Sequence, residues 1–327
     1  MPGLEYLPRF LYYQWFLTPK APTRSFAGQT VIITGSNQGL GFEAAKHIVR
    51  LGAEKVVLAV RSVDKGNAAQ AEIERVTGRS GVVEVWSLDL QSYESVKEFA
   101  AKAQGLNRLD VVLENAGIST MKYELVEGHE STITTNVIST FLLALLLLPK
   151  LKESARRFNI QPHLTIVSSE VHYFSNLPQR NVSSGTIFNA LTKEETFKRG
   201  ERYWTSKLIL VLAFRQMIQE EARQGYPVII NQINPGMCYS GLTREIGWEQ
   251  KIIDFLFHAR STEVGSRTLV DAASFGPESH GEYLSNCRIS SVSSFITSEE
   301  GQKTAMRVWT ELKDILENIQ PGILKMF

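Results

Sequence analysis

The sequence has 327 residues, of which 43% are apolar and 21% are charged, enough for one large hydrophobic core or two smaller ones. Its 35 Lys and Arg residues nearly balance 34 Asp and Glu residues without local runs of like charge, which argues against binding to nucleic acid or to an anionic membrane surface. Two separated cysteines, Cys238 and Cys287, and six scattered histidines offer no metal-ligand spacing. We therefore expect a soluble, cytoplasmic protein of a reducing compartment without a metal site.

Residues 1–27 form a predicted N-terminal extension that is rich in aromatic side chains. Pro8 and Pro19 interrupt it, and it lacks the continuous apolar core and cleavage site of a signal peptide. The extension could lie on the domain surface or contact a membrane interface, and both interpretations stay open. Farther along, FLLALLLLP at 141–149 is under half of the ~20 residues that cross a bilayer and ends in proline. We predict a buried helix there and no integral membrane segment.

From residue 28 onward, β-branched runs alternate with amphipathic stretches, a pattern typical of a parallel sheet with helices on both faces. The predicted strands are 30–35, 55–60, 82–86, 109–115, 163–169, 227–234 and 281–285. Because no Pro-, Gly- or Ser-rich linker divides the chain, we predict one α/β domain over 28–327, a Rossmann-type doubly wound sheet of about seven strands. Segments 170–202 and 237–262 break the alternation and are predicted to cover the carboxyl edge of the sheet, where ligands bind.

The first predicted strand leads into TGSNQGLG and then a helix, which places three glycines at a strand-to-helix turn. Glycines there let the backbone turn tightly and approach a pyrophosphate at the helix N-terminus, so this loop predicts a nucleotide site. The alternative is a plain turn, which would not require three glycines so close together. The predicted cofactor contacts of the loop are Gly35, Ser36, Gln38, Gly39, Leu40 and Gly41.

The second predicted strand ends at Arg61, where NAD-binding proteins commonly carry an acidic residue. A guanidinium at this point could bind a 2′-phosphate, which favours NADP over NAD, although a solvated loop cation is the alternative. Asp89, followed by Leu90, could accept a hydrogen bond from the adenine amino group. The small turn Asn115, Ala116 and Gly117, after the fourth strand, leaves room for the nucleotide.

Tyr203 and Lys207, in the stretch YWTSK, lie one helical turn apart and so share a helix face. Taken alone, this pair is more often a tyrosine above a solvated lysine than a catalytic pair. Together, however, TGSNQGLG, ENAG, the serines at 168–169, YWTSK and NPGMCYS resemble, in order and spacing, the motifs of the short-chain dehydrogenase/reductase family over roughly residues 28–240. The later stretches VGSRTLVDAA and ESHGEYLSN are similar to those of its fungal, retinol-dehydrogenase-like members.

The resemblance implies a role for each matching residue. Ser169 would bind the substrate oxygen, Tyr203 would transfer the proton, Lys207 would lower the pKa of the phenol and hold the nicotinamide ribose, and Asn136 would support a water in a proton relay. The resemblance also assigns cofactor contacts to Tyr203, Lys207, Pro235, Gly236 and Ser240. Without the resemblance, the two serines could merely satisfy backbone groups, and Asn136 could be a polar residue that bends its helix.

Two departures from the family pattern concern the site. Glu114 stands where the family has the first Asn of its NNAG turn, which could alter contacts at the cofactor edge, and Ser240 replaces a common Thr. The segment between Ser169 and Tyr203 is also longer than usual, which predicts an inserted lid or pocket wall. A pKa of the Tyr203 phenol lowered by ~3 units corresponds to about 4 kcal/mol of stabilisation of the phenolate relative to the neutral phenol. A shift of this size would require the start of the Tyr203 helix to be buried.

The predicted substrate is a lipophilic small molecule. Trp204 is expected to pack against or shape the entrance, while His172 and Tyr173 either line the pocket or lie on a surface loop. Four apolar residues predict a mobile flap or, equally, an ordinary amphipathic helix. They are Ile246, Trp248, Ile252 and Phe255.

The sequence therefore predicts an NADP(H)-dependent oxidoreductase that interconverts a ketone and a secondary alcohol, in fungal terpenoid or polyketide metabolism. The alternative is a non-redox protein on the same scaffold, either a cyclase-type catalyst or a nucleotide-sensing regulator. The resemblance also allows a homodimer.

Overall fold

A central eight-stranded sheet organises the protein, in a computed structural model that describes residues 3, 6–182, 185–220, 226–239, 241–243 and 257–327. The strands are β1 (Thr30–Thr34), β2 (Lys55–Val60), β3 (Val83–Ser87), β4 (Val111–Glu114), β5 (Leu125–Val126), β6 (His129–Glu130), β7 (His163–Val167), β8 (Ile229–Asn234), β9 (Tyr283–Ser285) and β10 (Arg288–Ile289). Their order across the sheet is β10-β9-β8-β7-β4-β1-β2-β3, and β5 and β6 form a separate hairpin. All pairings in the large sheet are parallel except β9 with β10.

The doubly wound α/β fold is confirmed, and each of the seven predicted strands is present with ends shifted by no more than two residues. The additional strand β10 and the β5–β6 hairpin were not predicted. Each of these elements has only two residues, which is too short to show an alternating pattern.

Helices cover both faces of the sheet. They are α1 (Leu7–Phe16), α2 (Gly39–Arg50), α3 (Val63–Thr77), α4 (Tyr93–Gln104), α5 (Ser131–Ile133), α6 (Ser139–Phe158), α7 (Ile187–Thr192), α8 (Glu201–Glu220), α9 (Thr262–Ala272), α10 (Ser294–Thr297) and α11 (Glu299–Ile319). Residues of β1 alternate between two hydrophobic cores. Ile32 packs with residues of α4, α6, α8 and α11, whereas Val31 and Ile33 pack with residues of α2, α3 and α9. Because both faces of the strand are covered, β1 is buried along its whole length.

The apolar stretch around residue 141 is part of a longer helical segment than predicted. A π-helical turn at Thr134–Ile138 joins α5 to α6, and the helix continues through Pro149 instead of ending there. In the described part of the chain, this Ser131–Phe158 segment alone is long and apolar enough to cross a membrane, and 94% of its most apolar window is buried inside the protein. Burial of Leu147, Leu148 and Leu151 around the proline stabilises the helix beyond it.

The parallel strands bring the predicted site segments to one edge of the sheet. The chain leaves β1 at Gly35, β2 at Arg61, β4 at Asn115, β7 at Ser168 and β8 at Pro235. The strand order reverses direction between β1 and β4, and ligands bind at such a switch point in open α/β sheets.

Candidate active site

A cavity of about 820 Å³ follows this edge of the sheet. Its volume lies in the upper part of the ~300–1,000 Å³ typical of ligand pockets. Gly35 and Arg61 line the cavity, and so do Ser169, Tyr203 and Lys207. The predicted nucleotide site and the predicted catalytic residues therefore share one continuous space.

The glycine loop and the turn after β4 lie against each other. Gly35 has φ +64°, and a Cβ at this position would lie 2.9 Å from Ala116 Cα. A Cβ on Gly41 would lie 2.6 Å from the Asn115 Nδ2 atom, which donates hydrogen bonds to the Thr34 and Gly35 carbonyls at 2.9 and 3.2 Å. Only glycine permits this approach, because any side chain would push the loop from the turn.

The N-terminus of α2 suits an anion. The N-cap residue Gln38 makes no side-chain capping bond, and the first turn of α2 contains no acidic residue. Four other long helices, α3, α4, α9 and α11, are capped by serines, namely Ser62, Ser92, Ser261 and Ser298. The backbone N–H groups at the start of α2 thus remain available, and the residues present fit the pyrophosphate of a dinucleotide.

Four of the six predicted loop residues line the cavity: Gly35, Gln38, Gly39 and Leu40. Ser36 and Gly41 do not belong to the described lining. The Ser36 hydroxyl is fully buried and donates to the Ile33 carbonyl at 2.8 Å. Ser36 and Gly41 therefore support the conformation of the loop without lining the cavity.

Two basic side chains line the cavity where the chain passes from β2 to α3. Arg61 is exposed, and its Nη1 donates to Gln91 Oε1 at 3.3 Å. Lys65, in the first turn of α3, also lines the cavity and was not predicted from the sequence, although it lies only four positions after Arg61. Asp89 and Leu90 line the same region, and Asp89 Oδ1 accepts from the Gln91 backbone at 2.9 Å.

The structure brings together Ser169, Tyr203 and Lys207. The Ser169 side chain lies close enough to the phenol of Tyr203 to lower its pKa. Lys207 Nζ lies 5.7 Å from the centroid of the Tyr203 ring and donates to the Val167 carbonyl at 2.8 Å. Lys207 is only 6% exposed, and all three side chains line the cavity.

The pKa values at this site differ from the expectation of an acidic phenol. Burial raises the pKa of Tyr203 to about 12, although the nearby Ser169 side chain lowers it, and the Glu170 carboxyl group contributes to the rise. Burial also lowers the pKa of Lys207 to about 8. Removal from water disfavours the charged form of both groups. The residues of the described chain thus keep the phenol protonated at neutral pH.

Asn136 lies in the π-helical turn, behind the cavity lining. Its side chain forms two hydrogen bonds with the backbone of Ile118, both at 2.9 Å, and its Nδ2 donates to Ser206 Oγ at 3.0 Å. Ser206 in turn donates to the Tyr203 carbonyl at 2.7 Å. The amide of Asn136 therefore ties the segment after β4 to the start of α8, while its neighbour Thr135 reaches the cavity.

His172 and Tyr173 neither line the cavity nor lie on a surface loop, so both sequence interpretations were wrong. His172 is fully buried; its Nδ1 donates to the Ser169 carbonyl at 2.7 Å, and its Nε2 accepts from the Ser293 backbone at 3.2 Å. Burial lowers the pKa of His172 to about 4. A neutral ring therefore holds the backbone of Ser169.

Glu114 also lies away from the cavity, which contradicts the expected contact with the cofactor edge. Its carboxyl group is buried, and neither oxygen has a hydrogen-bond partner within the described part of the chain. Burial raises its pKa well above 4.5. Glu114 therefore carries a neutral carboxyl group inside the sheet.

Glu170 is a site residue that sequence reasoning missed. This buried carboxylate lines the cavity next to Ser169, and its Oε2 accepts from Tyr6 Oη and Asn234 Nδ2, both at 3.0 Å. Asn234 Oδ1 accepts from the Gly236 backbone at 3.1 Å. Glu170 thus joins the N-terminal extension to the Pro235–Gly236 turn, which also lines the cavity.

The predicted insertion at 170–202 contributes mainly its two ends to the site. Glu170, Val171, Phe174 and Gly200 line the cavity, whereas the middle of the insertion packs away from it: Phe188 is buried in the core. Of the segment 237–262, the described lining residues are Met237, Cys238, Gly241, Leu242 and Phe257. Several predicted residues lie outside the described part of the chain, namely Ser240, Ile246, Trp248, Ile252 and Phe255.

A doubly wound sheet with a glycine loop after β1 and a Tyr–Lys pair at the start of α8 defines a nucleotide-dependent oxidoreductase class. The family model described as short chain dehydrogenase matches residues 29–161. The chain is 46% identical to the short chain dehydrogenase/reductase dmxR8 of Cryptosporiopsis sp., over 97% of this chain and 99% of that protein. It is 43% identical to the short-chain dehydrogenase anuD of Penicillium roqueforti, over 96% and 84% respectively.

Solved structures show the same fold. An uncharacterized protein from Mycobacterium paratuberculosis superposes with a TM-score of 0.68 at 26% identity, over 91% of this chain and 98% of that chain. The NADP complex of RhlG from Pseudomonas aeruginosa gives a TM-score of 0.60 at 22% identity, over 80% and 95%. The protein therefore belongs to the short-chain dehydrogenase/reductase family, whose members are oxidoreductases that use NAD or NADP.

Proposed function

We propose that the protein is an NADP(H)-dependent oxidoreductase that interconverts a ketone and a secondary alcohol on a lipophilic small molecule. The observation that carries this proposal is the grouping of Ser169, Tyr203 and a buried Lys207 in one cavity that also reaches the glycine loop. Each of these side chains has a defined part in the reaction.

Ser169 would hold the substrate oxygen beside the phenol of Tyr203, because both side chains line the cavity and the serine lies close enough to the phenol to lower its pKa. Tyr203 would donate a proton to the oxygen during reduction and take it back during oxidation. A pKa raised to about 12 keeps Tyr203 protonated at neutral pH, which supports its role as the acid. When bound, the nicotinamide ring supplies the hydride that balances this proton.

Lys207 would hold its ammonium group beneath the reacting oxygen. The Val167 carbonyl fixes Nζ at 2.8 Å, and burial limits screening by water. A positive charge in such a site stabilises the phenolate that forms as Tyr203 loses its proton. A lysine whose pKa is lowered to about 8 can also exchange the proton with solvent near neutral pH.

The proposed preference for NADP rests on charge. Arg61 and Lys65 line the cavity at the carboxyl end of β2 and the start of α3, and both can bind a 2′-phosphate. The acidic lining residues in the described chain are Asp89 and Glu170, and neither follows β2. The apolar lining of the cavity, including Phe10 and Trp204, supports a lipophilic substrate. We place this activity in fungal terpenoid or polyketide biosynthesis in the cytoplasm, a proposal that follows the fungal relatives.

The test supplies NADPH with a panel of apolar ketones and follows the loss of NADPH absorbance. Tyr203→Phe should lower the rate by about 10²-fold or more, because the variant has no proton to give. Tyr12→Phe is the matched control, since this tyrosine is 55% exposed on α1. Equal rates for Tyr203→Phe and the wild type would show that Tyr203 does not transfer the proton.

The cofactor is tested separately by the thermal stabilisation that NADPH and NADH produce. We expect a larger increase in melting temperature with NADPH, because a ligand that binds the folded state more tightly stabilises it more. Equal increases would contradict the argument from Arg61. Binding of NADPH without conversion of any carbonyl would instead favour a non-redox function on this scaffold.

A further inference from the structure

Helix α1 lies outside the layers of the α/β domain but is fastened to the site. Tyr6, just before the helix, donates to Glu170 Oε2 at 3.0 Å, and Gln14 Nε2 donates to the Met237 carbonyl at 3.0 Å. Arg260 Nη2 donates to the Tyr13 carbonyl at 3.0 Å. Because Glu170 and Met237 line the cavity, α1 is attached directly to the segments that form it.

Hydrogen bonds of Arg260 reinforce this attachment. The guanidinium is 6% exposed, and it also donates to the carbonyls of Leu17 at 3.0 Å and Pro235 at 3.1 Å. Leu17 is the C-cap residue of α1, and Pro235 belongs to the turn that follows β8. One buried cation therefore ties the end of α1 to the cofactor side of the cavity.

The two faces of α1 differ in burial. Phe10 is 8% exposed, and both Phe10 and Leu7 line the cavity. On the other face, Tyr12 and Trp15 are 55% and 52% exposed. Only the inner face of the helix can therefore contact a molecule bound in the cavity.

Two pairs of aromatic side chains line the cavity, and one pair includes Phe10 of α1. Phe10 pairs with Phe257, with ring centroids 5.7 Å apart, and Phe174 pairs with Trp204 at 5.8 Å. All four rings line the cavity. Aromatic faces and edges favour a planar, apolar ring placed among them, beyond what the burial of apolar area alone contributes.

We propose that the inner face of α1 and these aromatic side chains form a subsite for an aromatic or fused ring of the substrate, and that Phe10 determines which ring systems fit. The inference rests on the proposed function, since it places this ring beside the carbonyl that Tyr203 and Ser169 would serve. Phe10 acts on binding and not on the reacting atoms, so its loss should raise KM more than it lowers kcat.

The test compares Phe10→Ala with Tyr12→Ala, an aromatic truncation on the exposed face of the same helix. Binding of acetylnaphthalene and of cyclohexanone is measured by calorimetry with NADP⁺ present, a condition in which neither ketone can be reduced. We expect Phe10→Ala to weaken acetylnaphthalene binding about tenfold and to leave cyclohexanone and cofactor binding unchanged. Tyr12→Ala should match the wild type for both ketones.

Phe10→Leu repeats the measurement with a side chain that stays apolar but lacks the ring, in case Phe10→Ala does not fold. Its acetylnaphthalene binding should fall between those of the wild type and Phe10→Ala. Identical binding in the Phe10 and Tyr12 variants, or no binding of acetylnaphthalene to the wild type, would overturn the subsite. The expected binding pattern without reduction of either ketone by NADPH would support the subsite and count against the proposed function alone.

Discussion

Replacing Glu114 with glutamine should make the protein more stable, by an amount that grows with pH. The carboxyl group is buried at the end of β4 without a hydrogen-bond partner in the described chain, and its pKa is raised well above 4.5. In the unfolded chain the same group ionises near its ordinary value. Above about pH 4.5 the folded state therefore binds more protons than the unfolded state, and stability falls as the pH rises.

The magnitude follows from linkage. The stability from a neutral Glu114 is fully present below about pH 4.5, and it is lost at about 1.4 kcal/mol per pH unit until the pH reaches the folded pKa. Glutamine has nearly the same shape as glutamate and cannot ionise, so the stability of the variant does not fall in this way as the pH rises. The difference in free energy of unfolding between Glu114→Gln and the wild type should therefore grow as the pH rises above about 4.5, by at most about 1.4 kcal/mol for each pH unit.

Urea denaturation at several pH values measures this difference directly. Titration of every other group is common to both proteins and cancels in the comparison. Glu124→Gln, on an exposed glutamate, serves as the control and should change the free energy of unfolding little at any pH. A difference that stays constant across the pH range would refute the reasoning, since it would mean that the folded protein does not hold Glu114 neutral.

Three further substitutions test the site. Arg61→Ala should weaken binding of NADPH about tenfold and leave NADH binding nearly unchanged, as measured by titration of each cofactor; equal losses would contradict a 2′-phosphate contact. Gly41→Ala should weaken binding of both cofactors together, because its Cβ would lie 2.6 Å from Asn115 Nδ2 and displace the loop; unchanged affinity would show that the loop adapts. His172→Phe should lower kcat at every pH from about 5 to 8, because a ring with a pKa of about 4 stays neutral there and holds Ser169 by a hydrogen bond. If the ratio of kcat between wild type and variant changed with pH in that range, the result would contradict the structural role of the imidazole.

The sheet could be predicted because its strands carry a local signal. Runs such as VVLAV in β2 are apolar on both faces, and parallel strands between two helix layers require that composition. Tyr203 and Lys207 could be paired for a similar reason, since one helical turn fixes their relative position whatever the rest of the chain does. The two-residue strand β10 carries no such signal.

Other features of the site depend on contacts between distant parts of the chain. Tyr6 and Glu170 are 164 positions apart, and no periodicity connects them. The direction of the pKa shift of Tyr203 could not be predicted from the sequence either. The spacing between Tyr203 and Lys207 does not indicate that the phenol is removed from water or that the carboxyl group of Glu170 lies nearby. The burial of His172 likewise follows from its contact with Ser293.

The attachment of α1 has a consequence for the order in which the protein folds. This helix is synthesised well before its partners, such as Glu170 and Arg260; Arg260 and Tyr13 are 247 positions apart. Contacts with such large sequence separation form late. We expect the amides of the central sheet to gain protection from hydrogen exchange during refolding before those of Leu7–Phe16, so that the substrate site becomes complete only after the nucleotide-binding core exists.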